Sequence, residues 1–432
     1  MIRILLDLNV RRTGTGLFTA TYNLLKFVLP LILDKAGMVT VVTRRRELIK
    51  LLINTRRNLR VRSKLLIKTD TSKALDACQI YDIVYTVLPH PIIMRNPYAL
   101  KAIRKKTKTL IVHVHGYQPY MITGLILAPY ENYKDNRMLA KMDRSLFYRA
   151  YIQERNFLVK TGLYLLDAIR MKTLREIFSK TADIVLTCSL RHKRIYESLA
   201  QEYANPVFDV DYVYNIIDFV EREQKHYKNL DNSFEAITRN FKIYILYPFG
   251  ENYVKGFPSV KMLLLKISRE KTLCKTLKPV LIGFRHFRTL TYLRSLTRKL
   301  GLSIEILPIL DKTEYISLLK RSHVLLLPTL AEETFSFTVA ESLVNGLAPL
   351  AHKVGAIPEI TPEPLNPFLI DINRIENSEE YFSRITDKLY YLLEKKHHLK
   401  KLRECIISKA IDKFTRMNEL AITKIYKYLT TL

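Results

Sequence analysis

The chain has 432 residues, of which 48% are hydrophobic and 26% charged. This is the composition of a globular chain and excludes a disordered one, and the length suits two domains of about 200 residues each. The formal net charge of +29 points to an anionic partner (phosphate, nucleic acid or an acidic membrane surface), and charge alone does not choose among these.

The amino-terminal stretch MIRILLDLNVRR carries Asp7 within its apolar part and no small-residue cleavage site. It reads as a first strand rather than a signal peptide. Further strands are expected at Met38–Val42, Ile83–Val87, Thr109–Val114, Ile184–Cys188 and Val210–Tyr214, after a first at Ile2–Leu6. Helical patterns lie between them, as at Leu17–Leu29 and Leu146–Phe178. Strands alternating with helices predict a parallel, doubly wound sheet. The longest apolar run, Leu24 to Leu33, is broken by Lys26 and Pro30 and is too short to span a bilayer.

Several segments of this half bear on function. Gly14 and Gly16, in the stretch joining the first strand to the first helix, suit either close approach of a ligand or a plain tight turn. Positive charge is dense in residues 43–64 and 101–108; in the first, Leu48, Ile49, Leu51 and Leu52 form an apolar stripe among arginines. These segments read as solvated faces or as a membrane-surface patch. No helix-turn-helix, zinc-finger or RNP pattern supports a specific nucleic-acid partner. His113 and His115, two apart, share one face of their strand, and a strand histidine is structural or catalytic. The four cysteines, Cys78, Cys188, Cys274 and Cys405, form no CxxC pair. They read as reduced thiols of a cytosolic chain, with no metal site.

Residues 221–240 are polar and poor in aliphatics and form the expected linker. The alternation then restarts, with strands expected at Ile243–Tyr247, Pro279–Ile282, Ile304–Leu307, Val324–Leu327 and Ala348–Ala351. Helices are expected at 258–269, 288–300, 313–321 and 338–345, and the tail from about 376 is helical, with Leu393, Leu399, Leu402 and Ile406 at helical spacing. The expected domains are 1–225, joined by a returning helix at 415–432, and 241–414. Two such domains face each other across a cleft, which suits a reaction between two substrates.

The chemistry concentrates in residues 327–360. Glu333 and Glu341 stand eight apart, one in a loop after a strand and one in the following helix. Both can face a crevice at the carboxyl ends of parallel strands. The amides of Phe335 to Thr338 lie near a helix start, a natural anion site. Upstream, Lys255-Gly256 leads from a strand into a helix; this is a phosphate-binding arrangement or a surface lysine.

The stretch Glu333-Thr334-Phe335-Ser336-Phe337-Thr338-Val339-Ala340-Glu341-Ser342, then Gly346-Leu347-Ala348-Pro349, then Gly355-Ala356-Ile357-Pro358-Glu359 resembles the retaining glycosyltransferases of family 4. Their pattern is E-x-F-G-x-x-x-x-E-A, then G-x-P-V and G-G-x-P-E. The resemblance implies a GT-B fold: two Rossmann-like domains facing a cleft, with a carboxy-terminal helix crossing back. It implies hexose transfer, with retention, from a nucleotide-sugar such as UDP- or GDP-hexose, with no other cofactor and no metal. The amino-terminal domain would bind the acceptor and the carboxy-terminal domain the donor. Glu333 and His115 would orient the sugar and Lys255 would hold the diphosphate. Glu341 would bind the ribose, with Gly14, Gly16, Gly256, Phe335, Ser336 and Phe337 around the donor. Serine and alanine replace the usual glycines at 336 and 356. Glu251 stands where the family places an arginine, and Arg285 and Arg288 are the nearest substitute bases. The acceptor implied is a glycan, lipid-linked at the cytosolic membrane face in many relatives. A catalytically degenerate nucleotide or lipid binder, or a transferase acting on nucleic acid, are the alternatives.

Overall fold

The computed structural model describes residues 2–10, 16–58, 64–76, 80–133, 135–151, 157–204, 206–219 and 242–431. Gly14, Cys78, the end of the first basic segment and the expected linker at 221–240 lie outside them. Seven strands form the first sheet: β1 (Arg3–Asp7), β2 (Met38–Val42), β3 (Lys64–Lys68), β4 (Tyr81–Leu88), β5 (Thr107–Val114), β6 (Ile184–Thr187) and β7 (Asp209–Tyr212). Five form the second: β8 (Ile243–Tyr247), β9 (Leu277–Ile282), β10 (Glu305–Leu307), β11 (Val324–Leu327) and β12 (Ala348–Ala351). The orders are β3-β2-β1-β4-β5-β6-β7 and β10-β9-β8-β11-β12, and every pairing is parallel.

Parallel sheets are covered on both faces by crossover helices, so their strands are apolar throughout. All four residues of β11, VLLL, are buried. Each sheet reverses its winding once, between β1 and β4 in the first and between β8 and β11 in the second. Crevices form at such reversals, outside the carboxyl ends of the strands. The expected doubly wound architecture is therefore the observed one.

Two elements differ from the sequence reading. β3, KLLIK, lies at the edge of its sheet. It starts where the basic segment 43–64 ends, and a lysine at each end of so short an apolar run hid it from the sequence reading. The helix expected over Leu146–Phe178 starts earlier, and its described parts are Asn136–Tyr151 and Phe157–Thr181.

The 32-residue helix Leu399–Thr430 ties the halves together. Ile406, Ala410 and Phe414 pack into the core of the second sheet, and Ala421, Ile425 and Leu429 into the core of the first. Lys424 adds an ion pair to Asp211 of β7 at 2.9 Å. Asn418 pairs with the backbone of Ile217 in both directions, at 2.9 and 2.8 Å. This is the crossing helix that the resemblance implies.

Candidate active site

The second sheet's crevice is built from three loops. After β8 the chain turns at Gly250 and reaches Lys255-Gly256 before the helix Phe257–Arg269. Gly256 has φ 85°, and a Cβ there would strike the Pro328 carbonyl. Only glycine lets this loop lie against the end of β11. After β11, Pro328 to Ser336 lead into the helix Phe337–Val344. After β12, Gly355 (φ 56°) lies against the backbone of Glu333, where a Cβ would clash. The Ala356 amide donates to the Glu333 carbonyl at 2.7 Å. The third loop therefore fixes the second.

These contacts bring the expected residues together. Lys255 Nζ lies 2.6 Å from Glu333 Oε1, which also accepts from Thr329 Oγ1 at 2.8 Å. The lysine also sits over the Phe249 ring, 5.6 Å from its centroid. Thr334 Oγ1 donates to the His115 carbonyl at 3.2 Å, joining the Glu333 loop to the end of β5. The rings of Phe335 and Phe337 meet at 5.2 Å, and a Cβ on Gly16 would come within 3.2 Å of Phe337. Gly16 thus faces the second domain's helix start across the cleft.

Glu341 lines a cleft of about 200 Å³ together with Lys312, Asn23, Asp218 and Phe337. Burial pushes its carboxyl up to about 7, against the opposing pull of Lys312. Near neutrality this acid is therefore divided between its ionised and protonated forms, and the protonated form can both donate and accept a hydrogen bond.

His115 is held among buried groups. Burial pushes its imidazole down to about 3 and that of His192 to about 3, so both are neutral. His192 Nδ1 accepts from the Cys188 amide at 3.2 Å, which leaves Nε2–H to donate to the Gly116 carbonyl at 3.2 Å. Cys188 Sγ lies 3.3 Å from His115 Nδ1, and burial raises this thiol to about 12. His113, His115 and Cys188 converge within 4.8 Å, a grouping that the sequence spacing did not show. Tyr85 holds His113 Nδ1 at 2.6 Å.

The other expected residues stand apart. Arg285 is exposed, and its amide and that of His286 donate to Glu251 Oε1 at 3.0 and 2.9 Å. Ser336 has φ 73°, the one positive value of a non-glycine residue among those described, whereas Ala356 has φ −78°. Half of the apolar stripe expected at residues 43–64 belongs to the core, while Ile49 and Leu51 are half-buried. Leu48 and Leu52 of the helix Arg46–Asn58 are fully buried, because that face covers the first sheet.

Glu332 and Arg191 were not singled out from the sequence. Glu332 is 3% exposed and accepts from Arg191 at 2.7 Å, from the Gly355 amide at 2.9 Å and from the Tyr130 amide at 2.9 Å. Burial opposes the Arg191 cation, but hydrogen bonds and charge from Glu131 and Glu332 outweigh it and raise its pKa. Glu359 accepts the amides of Leu190 and Arg191 at 3.0 and 2.6 Å, satisfying the start of the helix Leu190–Ala204. Both acids belong to the second domain and both partners to the first, so together they clamp the cleft. Two adjacent glutamates at 332 and 333 were the available signal.

Residues 254–403 match the family model described as glycosyl transferases group 1. No curated protein sequence matches the chain. Among solved structures, the fold is similar to HepE of Anabaena in complex with UDP, with TM-score 0.57 and 14% identity over 100% of both chains. It is similar to a glycosyltransferase from Rickettsia africae, with TM-score 0.58 and 16% identity over 99% of this chain and 98% of that one. It is also similar to sucrose-phosphate synthase of Thermosynechococcus elongatus, with TM-score 0.57 and 12% identity over 99% of each chain. At such identities the likeness is one of fold, and that fold is GT-B: two parallel-sheet α/β units joined by a returning helix.

Proposed function

We propose that the protein is a retaining hexosyltransferase that moves a sugar from a nucleotide-sugar donor to an acceptor hydroxyl. The observation that carries this reading is the Lys255–Glu333 pair at 2.6 Å, set where the second sheet reverses. In the empty site the two groups neutralise each other. A donor diphosphate would draw Lys255 away as its counter-charge and leave Glu333 to accept hydrogen bonds from the sugar. Amides at the starts of Phe257–Arg269 and Phe337–Val344 add to the positive field there. Stabilisation of the departing diphosphate is then the main catalytic term. Glu341 serves the ribose, and neutral His115 offers the sugar a hydrogen bond without a charge. The family match over 254–403 and the UDP complex of the similar Anabaena protein support a nucleotide-sugar donor. The first domain is left for the acceptor.

A thermal-shift screen against UDP-, GDP- and ADP-sugars tests the reading. A donor at about a hundred times its dissociation constant adds roughly 2.7 kcal/mol. No shift with any of them, together with unchanged turnover in Lys255→Ala and Glu341→Ala, rejects it. One observation favours a second reading, a nucleotide binder without transfer. Glu251 occupies the amides of Arg285 and His286, so an acid stands where a donor phosphate needs positive charge. Binding of UDP-hexose without hydrolysis or transfer in any acceptor mixture distinguishes that case.

A further inference from the structure

The helix Phe157–Thr181 is used in two different ways along its length. Its second half is core: Met171, Leu174, Ile177 and Phe178 are at most 5% exposed. Its first half stands away from the sheet. Leu158, Val159, Leu163, Leu165, Leu166 and Ile169 are between 50% and 83% exposed. The geometry explains why. Twenty-five helical residues extend about 37 Å, whereas the eight residues of β5 extend only about 26 Å. The helix enters β6 at the strand's amino end, so its overhanging half rises on the side of the strands' carboxyl ends, where the cleft lies.

A contiguous apolar face of this size on a soluble surface marks an interaction site. Its surroundings identify the partner. Lys160, Arg170 and Lys172 lie on the same helix, and Arg137, Lys141 and Arg144 on the neighbouring helix Asn136–Tyr151. Asp143 is buried against the amides of Ile122 and Thr123, and Asp167 offsets Arg170 by pairing with it at 3.2 Å, which leaves Lys160, Lys172, Arg137, Lys141 and Arg144 as the excess positive charge of the rim. An apolar face within a basic rim is complementary to anionic lipid. It opposes a second copy of the chain, which would bring the same positive rim to the contact. No helix among the described residues is long and apolar enough to cross a membrane, so the segment lies on a bilayer rather than in it.

We propose that the first half of the helix Phe157–Thr181 docks the protein on an anionic bilayer, with its leucines among the acyl chains and the basic rim at the phosphates. The inference does not depend on the donor chemistry. The test is flotation of the full chain with phosphatidylcholine vesicles, with and without phosphatidylglycerol, at low and high salt. The wild type should float with the anionic vesicles, and Leu163→Glu/Leu166→Glu should reduce that partitioning by about tenfold or more at an unchanged melting temperature. Both leucines are exposed, so folding should survive the change. Lys160→Ala/Lys172→Ala should weaken binding at low salt only. Equal flotation of wild type and the leucine variant overturns the proposal, as does loss of binding in Arg46→Ala/Lys50→Ala alone. A wild-type dimer that the leucine variant dissociates, with no vesicle binding, overturns it in favour of a second copy.

Discussion

At the reversal of the first sheet, Asp7, Asn9, Thr71 and His90 are all buried and bonded to one another. Asp7 accepts from His90 at 3.2 Å, from Thr71 at 3.1 Å and from Asn9 at 3.2 Å. At the reversal of the second sheet, Lys255 and Glu333 form a pair whose lysine side chain keeps 27% exposure, facing the cleft. The two positions are equivalent in topology, since both lie outside the carboxyl ends of the central strands. The difference lies in what fills them. In the first sheet the chain bonds these four side chains to one another, and among them only Asn9 Oδ1 is buried without a partner. In the second, two opposite charges are joined by a contact that an anion could replace. Equivalent crevices therefore become a structural knot in one half and a candidate ligand site in the other.

Five substitutions, in four tests, would break or sharpen that contrast. Lys255→Ala should lower turnover by about two orders of magnitude, as for loss of a positioned electrostatic group, with little change in melting temperature. Steady-state kinetics with the donor found by thermal shift, beside a melt, decides it. Asp7→Ala should do the reverse. It leaves His90, Thr71 and Asn9 without their buried acceptor and should cost about 2–3 kcal/mol of stability, seen in urea unfolding, while nucleotide affinity stays unchanged. A change in affinity as large as that in stability would mean that the first reversal is also a ligand site.

The third concerns pH. Burial raises Glu341 from its ordinary 4.5 to about 7, so the folded state prefers the protonated acid. Its contribution to stability is complete below 4.5 and is lost as pH rises towards 7. Glu341→Gln should flatten that part of the stability profile of the ligand-free protein, and melts across this window would show it. The smallest effect pairs the two replaced glycines. Ser336→Gly removes a left-handed serine (φ 73°) and should stabilise by about 1 kcal/mol. Ala356→Gly, at an ordinary φ of −78°, should destabilise by about 0.4–1 kcal/mol through the unfolded chain. The same sign in both would show that backbone conformation does not separate the two positions.

Much of the fold was legible because a parallel sheet writes itself as apolar runs at regular intervals, as in IYILY and VLLL. The edge strand β3 was not, since its lysines serve the edge rather than the core. The residues proposed for the donor side could be grouped from the sequence because they are local: Glu333, Phe335, Ser336, Phe337 and Glu341 lie within nine positions. Glu332 with Arg191, and Glu359 with the Leu190–Ala204 helix, were not, because each pair joins residues more than 140 positions apart. Neighbouring leucines also part ways for a related reason. Leu48 and Leu52 look like a surface stripe among arginines, yet their face covers a sheet. Leu163 and Leu166 look like core, yet their helix outruns the sheet that would cover them.

The sequence by itself determined the doubled α/β alternation, the loop that carries Glu333 with the following helix that carries Glu341, and the lysine before Gly256. Periodicity and short-range spacing are properties of the chain. Only the tertiary structure decided that Lys255 meets Glu333, that Glu332 and Glu359 clamp the cleft, and that Ser336 rather than Ala356 bears the backbone strain. It also decided which leucines face solvent. Those outcomes depend on which distant segments meet and on where a helix ends relative to its sheet, and packing in three dimensions sets both.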